Sequence, residues 1–323
     1  MKNKKLLKKN IFLIGDGELL LFTAKLFNDN KYNVVIISSK RHAQSFLKKN
    51  YFQKKLKKIV KFKILNNQKE LENIVIKDSL AICFGPSWIF SKKIRSFFKG
   101  EMYNIHCLPL PKFMGGAHYT WQILNSNFEG GIYLQKINDK LDRGPIVYKS
   151  NFKISKNNTK PKDFYNINYY HGKKFIKKLL NFKLIKKNLV RNQKFFLKSI
   201  YFPRLMTKKN AYIDWQWSGL EIKRFCDAFD DPYNGASTFH GSNKVFLKDV
   251  KIFNNDKYHP YCAGLVIRKI KKSIYIATTL GTLLVKDLYF ENKSSNKLIK
   301  KGDRLLTPYK YLENSRLFRP IYK

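Results

Sequence analysis

Short apolar runs alternate with amphipathic stretches through the first half of this 323-residue chain, and that alternation limits the possible folds more than any other feature. The runs have the length and β-branched content of buried parallel strands, and the stretches between them have helical spacing. Strands that alternate with helices form an open, mostly parallel twisted sheet with helices on both faces, so the sequence predicts an α/β, Rossmann-like domain. Ligands of such sheets bind beyond the carboxyl ends of the strands. The predicted strands are 11–14, 34–37, 80–84 and 103–107, and the predicted helices are 18–28, 41–49 and 91–98.

The second half of the chain has a different pattern. A pair of strands joined by a turn is predicted first, followed by a Lys-rich helix and a linker. From about Pro203 a helix precedes short strands separated by turn residues, which is typical of a small OB-like β-barrel. The predicted bounds are 130–137 and 145–152 for the strand pair, 160–188 for the Lys-rich helix, 183–199 for the linker, 218–229 for the second helix, and 236–239, 244–252, 264–269, 273–279 and 282–289 for the short strands.

The formal net charge of +43 suggests a polyanionic partner, because lysine and arginine neutralise phosphates and release counterions. Only ten of the 65 basic residues are arginine, however, whereas nucleic-acid recognition favours the bidentate fork of arginine. The chain is also rich in Asn, Ile, Phe and Tyr, as expected when codon usage drifts toward A and T. We therefore interpret the charge mainly as compositional drift, although a surface of this charge attracts anions whatever its origin.

Cysteine spacing and the N-terminal residues bear on metals and location. The four cysteines are scattered without a CxxC pair, which argues against a common zinc site and provides no disulfide framework. The apolar run at 11–14 is too short for a signal peptide, and no stretch approaches the roughly 18 apolar residues of a membrane span. The sequence thus predicts a cytoplasmic protein with no metal and no membrane association.

The segment Gly15-Asp16-Gly17 follows the first predicted strand and precedes a helix, which is half of a dinucleotide-binding fingerprint. The third glycine of that fingerprint is missing, since Leu20 stands at its position, and no acidic residue follows the second strand. We interpret these glycines as a tight turn between strand and helix.

Asn104 and His106 lie near the carboxyl end of the fourth predicted strand. Alternation along a strand places both side chains on the same face, at the edge of the sheet where ligands bind. A Leu-Pro loop over 108–111 ends the strand, and two glycines at 115–116 precede a helix. A lone histidine at a strand end is usually structural, but a same-face amide followed by such a loop favours an active site.

These residues belong to a longer pattern of Asn-x-His, a Leu-Pro loop, Gly-Gly-Ala-x-x-x-Trp and, further on, Asp-x-Gly. The pattern resembles the folate-dependent formyltransferase superfamily, whose members formylate Met-tRNA, glycinamide ribonucleotide or nucleotide-linked amino sugars. Residues 213–215 and 228–236 resemble the start of the C-terminal domain shared by the tRNA enzymes and some sugar enzymes. The resemblance implies a catalytic domain over 1–190 and a C-terminal barrel domain over 203–323. In this chain the pattern is Asn104-Ile105-His106-Cys107-Leu108-Pro109, Gly115-Gly116-Ala117-His118-Tyr119-Thr120-Trp121 and Asp142-Arg143-Gly144.

The resemblance also implies a role for each catalytic residue. Formyl transfer to an amine develops negative charge on the formyl oxygen and releases a proton from the amine. Asn104 would donate its amide to that oxygen, and His106 would either accept the amine proton or, as imidazolium, help to hold the oxyanion. Asp142 would orient His106, stabilise its charged form and relay protons through water.

The implied co-substrate is 10-formyltetrahydrofolate. In the superfamily its pterin is held largely by backbone groups of loops beside the catalytic residues, and the matching segments here are 84–89 and 138–142. Trp88 and Ile89 either flank the ring or belong to the core, and His118 either contacts the acceptor or lies at the surface. The residues assigned to the carrier are Phe84, Gly85, Trp88, Ile89 and Leu141, and those assigned to the acceptor are Gly115, Gly116 and His118.

Departures from the tRNA enzymes bear on which amine accepts the formyl group. They carry two arginines in the loop after Asn-x-His, where this chain has Lys112 and Met114, and a basic insertion after the second strand, which this chain lacks. Lysine does not replace arginine where a planar fork is needed. We expect a small acceptor, the amino group of a nucleotide-linked amino sugar, with Met-tRNA as the alternative.

A non-catalytic nucleic-acid-binding protein that kept the fold is a third reading of the function. Related sugar enzymes often pair through their C-terminal regions, so the resemblance also allows a homodimer.

Overall fold

The computed structural model describes six stretches of the chain, and for residues 44–47 and 118 it describes the backbone alone. Most of the predicted linker 183–199 lies outside them, as do the predicted ends of the helices 41–49 and 160–188. The chain falls into two compact units, and the predicted domain bounds at 190 and 203 stay a prediction. The described stretches are 10–47, 60–76, 79–116, 118–180, 197–291 and 299–320. The first unit comprises 1–114, 129–153 and 167–201, and the second comprises 115–128, 154–166 and 202–323.

A seven-stranded sheet forms the centre of the first unit. Its strands are β1 Asn10–Gly15, β2 Asn33–Ser39, β3 Lys61–Leu65, β4 Leu80–Phe84, β5 Met102–His106, β6 Glu129–Lys136 and β7 Ile146–Lys153. They lie in the order β3-β2-β1-β4-β5-β6-β7. The first five pair in parallel, and β6 and β7 join antiparallel at one edge. The predicted mostly parallel sheet is confirmed, and its strand order reverses between β1 and β4, where ligands of such sheets bind.

Helices cover this sheet on both faces. Along β1 the side chains alternate, with Ile11 and Leu13 in one core cluster and Phe12 and Ile14 in the other. The first cluster includes side chains of α1 and α5, and the second includes those of α3 and of a short 3-10 turn. Burial on both faces explains why these strands are apolar throughout. The helices of the chain are α1 Glu18–Asp29, α2 Lys40–Leu47, α3 Lys92–Phe97, α4 His118–Leu124, α5 Pro161–Leu179, α6 Thr207–Asn210, α7 Gly219–Ala228 and α8 Tyr309–Leu317.

The second unit contains a six-stranded, curled antiparallel sheet, as the predicted OB-like barrel requires. Helix α7 begins after Ser218, whose hydroxyl accepts a hydrogen bond from the Glu221 amide at 3.3 Å, while the Glu221 carboxylate accepts one from the Ser218 amide at 3.0 Å. The strands are β8 Ala236–His240, β9 Asn243–Lys257, β10 Val266–Ile270, β11 Ser273–Ala277, β12 Leu280–Phe290 and β13 Leu305–Leu306, in the order β10-β11-β12-β9-β8-β13.

Several described elements were not predicted from the sequence, among them strands β3 and β13, helices α6 and α8, and the 3-10 turn Gln68–Asn73. Strand β3 lies at the sheet edge and pairs only with β2 among the described strands, and Lys61 and Lys63 point to solvent from it. Lysines on an edge strand obscure the apolar pattern that identifies a buried one. Helix α8 was missed because its residues are mostly exposed. Among the described residues, no helix has the length and apolar character that crossing a membrane requires.

Candidate active site

Strand β5 places Asn104 and His106 on one face at the carboxyl edge of the sheet. Ile105 between them packs into the core cluster of the opposite face, so both polar side chains point away from it. Cys83 of β4 lies beside Asn104 in register, and Gln135 and Tyr133 of β6 lie opposite Asn104 and His106. The predicted strand-end position of the pair is confirmed, and the ladder also brings Gln135 to the same face.

The imidazole of His106 lies between two hydrogen-bond acceptors. Its Nε2 is 2.7 Å from the carbonyl oxygen of Phe113, and its Nδ1 is 3.6 Å from Oδ1 of Asp142. The His106 and Asp142 side chains are only 3% and 7% exposed. Because a carbonyl oxygen only accepts, Nε2 carries a proton in this arrangement. With Nε2 held by the Phe113 carbonyl, Nδ1 is the ring nitrogen that faces the Asp142 carboxylate.

The carboxamide of Asn104 is incompletely paired. Its Oδ1 is buried, and within the described part of the chain it has no hydrogen-bond partner. A buried polar atom without a partner costs about 1–3 kcal/mol, so such atoms in a folded protein usually meet a ligand or water. A half-turn of the amide exchanges its oxygen and nitrogen, so this position can offer either an acceptor or a donor.

Asp142 lies on the loop between β6 and β7, in the left-handed backbone region at φ 52°. Aspartate tolerates this conformation better than most residues. Two residues later, Gly144 packs so closely on β6 that a Cβ there would lie 1.6 Å from the carbonyl oxygen of Lys136. Glycine at this position therefore lets the loop pack tightly against the sheet. This packing keeps the Asp142 carboxylate close to the His106 imidazole.

The residues assigned to the carrier lie on two loops of the first unit. Phe84 is buried at the end of β4. Trp88 packs against the core cluster that contains Phe12 and Ile14, which agrees with the alternative that its side chain belongs to the core. Ile89 and Leu141 are 58% and 44% exposed, so they present apolar surface outside the core. Gly85 has a φ of 54°, a conformation that favours glycine at the first turn of its loop.

The residues assigned to the acceptor belong to the second compact unit. Gly115 ends a two-residue strand, and the amide of Gly116 donates to the carbonyl of Phe202 at 3.0 Å. His118 begins α4, and its side chain lies outside the described residues. The acceptor roles of these three residues stay predictions.

At the turn Gly15-Asp16-Gly17 the end of β1 lies very close to the end of β4. A Cβ on Gly15 would lie 2.0 Å from the carbonyl oxygen of Phe84, which itself accepts a hydrogen bond from the Asp16 amide at 3.1 Å. Gly17 precedes α1 with a φ of 104°. These contacts agree with the predicted role of a tight turn between β1 and α1.

Cys107 follows His106 directly, and we expect it to be chemically inert. Burial of its sulfur raises the pKa of the Cys107 thiol to about 12, although the residue as a whole keeps some exposed surface. At pH 8 about one molecule in ten thousand would carry the thiolate, which is the reactive form. Burial also raises the pKa of Cys83 and of Cys226.

Native protein treated with a thiol-specific disulfide reagent at pH 8 should therefore react rapidly at Cys262, which is half-buried, and slowly at the other three cysteines. Mass spectrometry after brief labelling checks this, with urea-unfolded protein as the control in which all four react. Rapid labelling of native Cys107 would contradict the burial of its sulfur.

Sequence reasoning missed two groups at this site. The Phe113 carbonyl is a backbone atom and leaves no signal in residue type. Gln135 is a polar residue in the otherwise apolar run of β6, and its alternation with Tyr133 could have assigned it to the face of the catalytic pair.

Comparison with known proteins agrees with the fold. Residues 9–170 match the sequence model of the family described as formyl transferase, and residues 205–298 match that of the formyl transferase C-terminal domain. Methionyl-tRNA formyltransferase of Clostridium tetani is 27% identical over 214 residues, which is 66% of this chain and 66% of that protein. The same enzyme of Fusobacterium nucleatum is 26% identical over 252 residues, covering 73% of this chain and 77% of that protein.

Solved structures of sugar-modifying enzymes share the fold. WlaRD, a sugar 3N-formyl transferase solved with dTDP and 5-N-formyl-THF, superposes with a TM-score of 0.61 at 19% identity, covering 89% of this chain and 99% of its own. An N-formyltransferase of Helicobacter canadensis, solved with folinic acid and dTDP-3-aminofucose, has a TM-score of 0.63 at 19% identity, covering 88% and 100%. With family models matching both halves of its sequence, the chain belongs to the formyl transferase family.

Proposed function

We propose that this chain is an N-formyltransferase that takes the formyl group of 10-formyltetrahydrofolate and transfers it to the amino group of a nucleotide-linked amino sugar. The observation that carries the proposal is the arrangement of Asn104, His106 and Asp142 at the carboxyl end of β5. A buried carboxamide, an imidazole and a carboxylate on adjoining elements provide an oxyanion donor and a proton acceptor within one site.

The residues around this arrangement suit a folate carrier. Asn104 offers a buried amide atom that the described protein does not pair, and Ile89 and Leu141 present exposed apolar surface on the two neighbouring loops. The loops are joined through Arg95, which donates to the carbonyls of Phe90 and Asn138 at 2.7 and 3.1 Å. These loops would hold the carrier, which supplies the formyl group when bound.

Within this site Asn104 would stabilise the negative charge that develops on the formyl oxygen. A donor held in place before the reaction stabilises such charge without reorganisation, and removing one donor from comparable sites lowers kcat by about 10²–10³. Its backbone lies on a central strand that is paired with a neighbour on each side, which fixes the position from which the amide would act.

His106 would act as a positive charge near the oxyanion, and Asp142 as the proton acceptor. The Phe113 carbonyl occupies Nε2 and Asp142 faces Nδ1, so as an imidazolium His106 would act through its charge and not by donating to the oxyanion. A positive charge there adds to the stabilisation provided by Asn104. The Asp142 carboxylate would take the amine proton through water, as the resemblance implies.

The loop after β5 supports a small acceptor. Lys112 stands where the tRNA enzymes have their first arginine, and it pairs with Glu129 at 2.9 Å. Met114 stands in place of the second arginine and is buried. Neither residue offers a planar cation to a tRNA phosphate. The Helicobacter canadensis enzyme, which shares the fold, was solved with an amino-sugar nucleotide.

Met-tRNA is the second candidate acceptor. The net charge of +43 and the sequence likeness to methionyl-tRNA formyltransferases favour it. Salt separates the two acceptors, because a protein that contacts 6–10 phosphates loses about 10³–10⁵ in affinity between 50 and 200 mM salt. A sugar nucleotide carries one diphosphate, so its affinity should change far less over the same range of salt concentration.

A formylation screen tests the proposal. Purified protein with 10-formyltetrahydrofolate is offered dTDP- and UDP-linked amino sugars and Met-tRNA, at 50 and 200 mM KCl, and products are identified by mass spectrometry. We expect formylated amino-sugar nucleotides, with a KM that changes less than about threefold with salt because few phosphates are engaged. If only Met-tRNA were formylated, Met-tRNA would be the acceptor and the amino-sugar nucleotide would be excluded. No transfer to any of these amines, together with no binding of 5-formyltetrahydrofolate, would refute the proposed activity.

A further inference from the structure

The loop 137–145, which carries Asp142, is joined to its surroundings at both of its ends. Within it the Lys140 amide donates to the side-chain oxygen of Asn138 at 3.0 Å, and the Arg143 amide donates to the Lys140 carbonyl at 3.3 Å. Asp142 itself has the left-handed φ of 52°, which most side chains adopt only when their surroundings enforce it. The position of its carboxylate therefore depends on groups outside the loop.

Gln135 holds the C-terminal end of this loop. Its Nε2 donates to the carbonyl oxygen of Gly144 at 2.8 Å, and the residue is only 2% exposed. Gln135 also lies directly opposite Asn104 in the β5–β6 ladder. One buried amide thus ties β6, the strand that pairs with the strand of the catalytic pair, to the loop that carries Asp142.

Arg95 holds the N-terminal end. Its Nη1 donates to the Asn138 carbonyl at 3.1 Å and to the Phe90 carbonyl at 2.7 Å. Phe90 ends the segment that follows β4. Gln68 supports that segment from the other side, with its Nε2 donating to the Ile89 carbonyl at 3.0 Å and its Oε1 accepting from the Ser91 amide at 2.8 Å. Arg95 therefore sets the spacing between the two loops assigned to the pterin.

We propose that Gln135 and Arg95 are positioning residues with separable effects, Gln135 holding Asp142 against His106 and Arg95 holding the two carrier loops together. The proposal rests on the proposed function, since it assigns the pterin to those loops. The Gln135 side chain bonds to Gly144, which lies beside Asp142 and outside the carrier segment 138–142, so its loss should act on kcat. Arg95 bridges both loops, so its loss should act on binding of the carrier.

Two variants remove these bonds with little change in volume. Gln135→Met keeps the length of the side chain and removes its donor, and we expect kcat to fall about 10- to 100-fold, because displacing a catalytic group by about 1 Å has that effect. The Kd for 5-formyltetrahydrofolate should stay within about threefold, since both carrier loops remain joined by Arg95. Arg143→Ala is the matched control, because Arg143 is an exposed residue of the same loop.

Arg95→Met removes the hydrogen bonds that join the two carrier loops. We expect it to weaken binding of the carrier more than it lowers kcat, the reverse of Gln135→Met. The Kd for 5-formyltetrahydrofolate should rise at least about tenfold, because the loops must then be ordered by the ligand itself. At saturating carrier, kcat should fall less than in Gln135→Met. Lys92→Met is the matched control, since it removes the same charge from an exposed position of the same helix, α3.

Hydrogen–deuterium exchange of a peptide covering 138–144 provides a readout that does not depend on activity. Gln135→Met and Arg95→Met should both raise exchange there at a temperature where circular dichroism shows all variants folded, while the two controls should not. Equal kcat and Kd effects in the two variants, or effects no larger than those of the controls, would overturn the proposal. If wild-type protein formylates no amine and does not bind 5-formyltetrahydrofolate, the proposed function fails instead, whatever the exchange data show for the loop.

Discussion

Replacing His106 by alanine is expected to reduce formyl transfer at least about 10³-fold while leaving the chain folded. The imidazole shares a strand face with Asn104 and lies 3.6 Å from Asp142, and its loss would remove the proposed positive charge as well as the group that faces the Asp142 carboxylate. Removing one group that stabilises the oxyanion lowers kcat by about 10²–10³, and His106 is proposed both to carry positive charge there and to face the Asp142 carboxylate.

Steady-state transfer from 10-formyltetrahydrofolate to the acceptor found in the screen measures this effect. The substitution also leaves the Phe113 carbonyl without its donor, so a loss of about 1–3 kcal/mol in the free energy of unfolding is expected and does not prevent folding. His240→Ala is the control, because His240 lies in the second compact unit and is half-buried. A His106→Ala protein with wild-type kcat would exclude His106 from the mechanism.

Replacing Gly144 by alanine is expected to damage both stability and activity through the backbone alone. The added Cβ would lie 1.6 Å from the carbonyl oxygen of Lys136, far inside van der Waals contact, so the backbone must move. That movement breaks the pairing in which the Lys136 amide donates to the Pro145 carbonyl at 2.9 Å, and it shifts Asp142 away from His106. We expect a loss of at least about 3 kcal/mol in the free energy of unfolding, beyond ordinary overpacking, and roughly 10²-fold in kcat.

Urea unfolding and transfer kinetics of Gly144→Ala measure the two effects. Gly302→Ala is the matched control, because Gly302 has a φ of 93° and nothing lies within 4 Å of the position that its Cβ would take. The control should lose only about 1–2 kcal/mol, the cost of a left-handed alanine. Equal unfolding midpoints for Gly144→Ala and wild type would show that the loop does not depend on this close contact.

The sequence predicted the fold well where burial alone decides the structure. Strands β1, β2, β4 and β5 are apolar because both faces of the sheet are covered, and a continuous apolar run is readable without knowing its neighbours. Edge strand β3 was missed because it is half solvent-exposed and carries Lys61 and Lys63.

The positions of Asn104 and His106 could also be predicted from the sequence, because they depend on local spacing. The period of two along a strand puts Asn104 and His106 on one face whatever the rest of the fold, and the proline after Leu108 marks where that strand stops. Asp142 was assigned through family resemblance, because nothing local brings it to His106. The two side chains meet only because the loop closes back over the sheet.

The sequence by itself thus determined the parallel sheet, the face and edge that carry Asn104 and His106, and the turn at Gly15. Only the tertiary structure decided that the Phe113 carbonyl occupies Nε2 of His106, that Gln135 lies opposite Asn104, and that Arg95 joins two loops. The physical reason is that secondary structure follows from local spacing and burial, whereas these contacts depend on strand register and loop closure. Both are set by residues that lie far apart along the chain and meet only after folding.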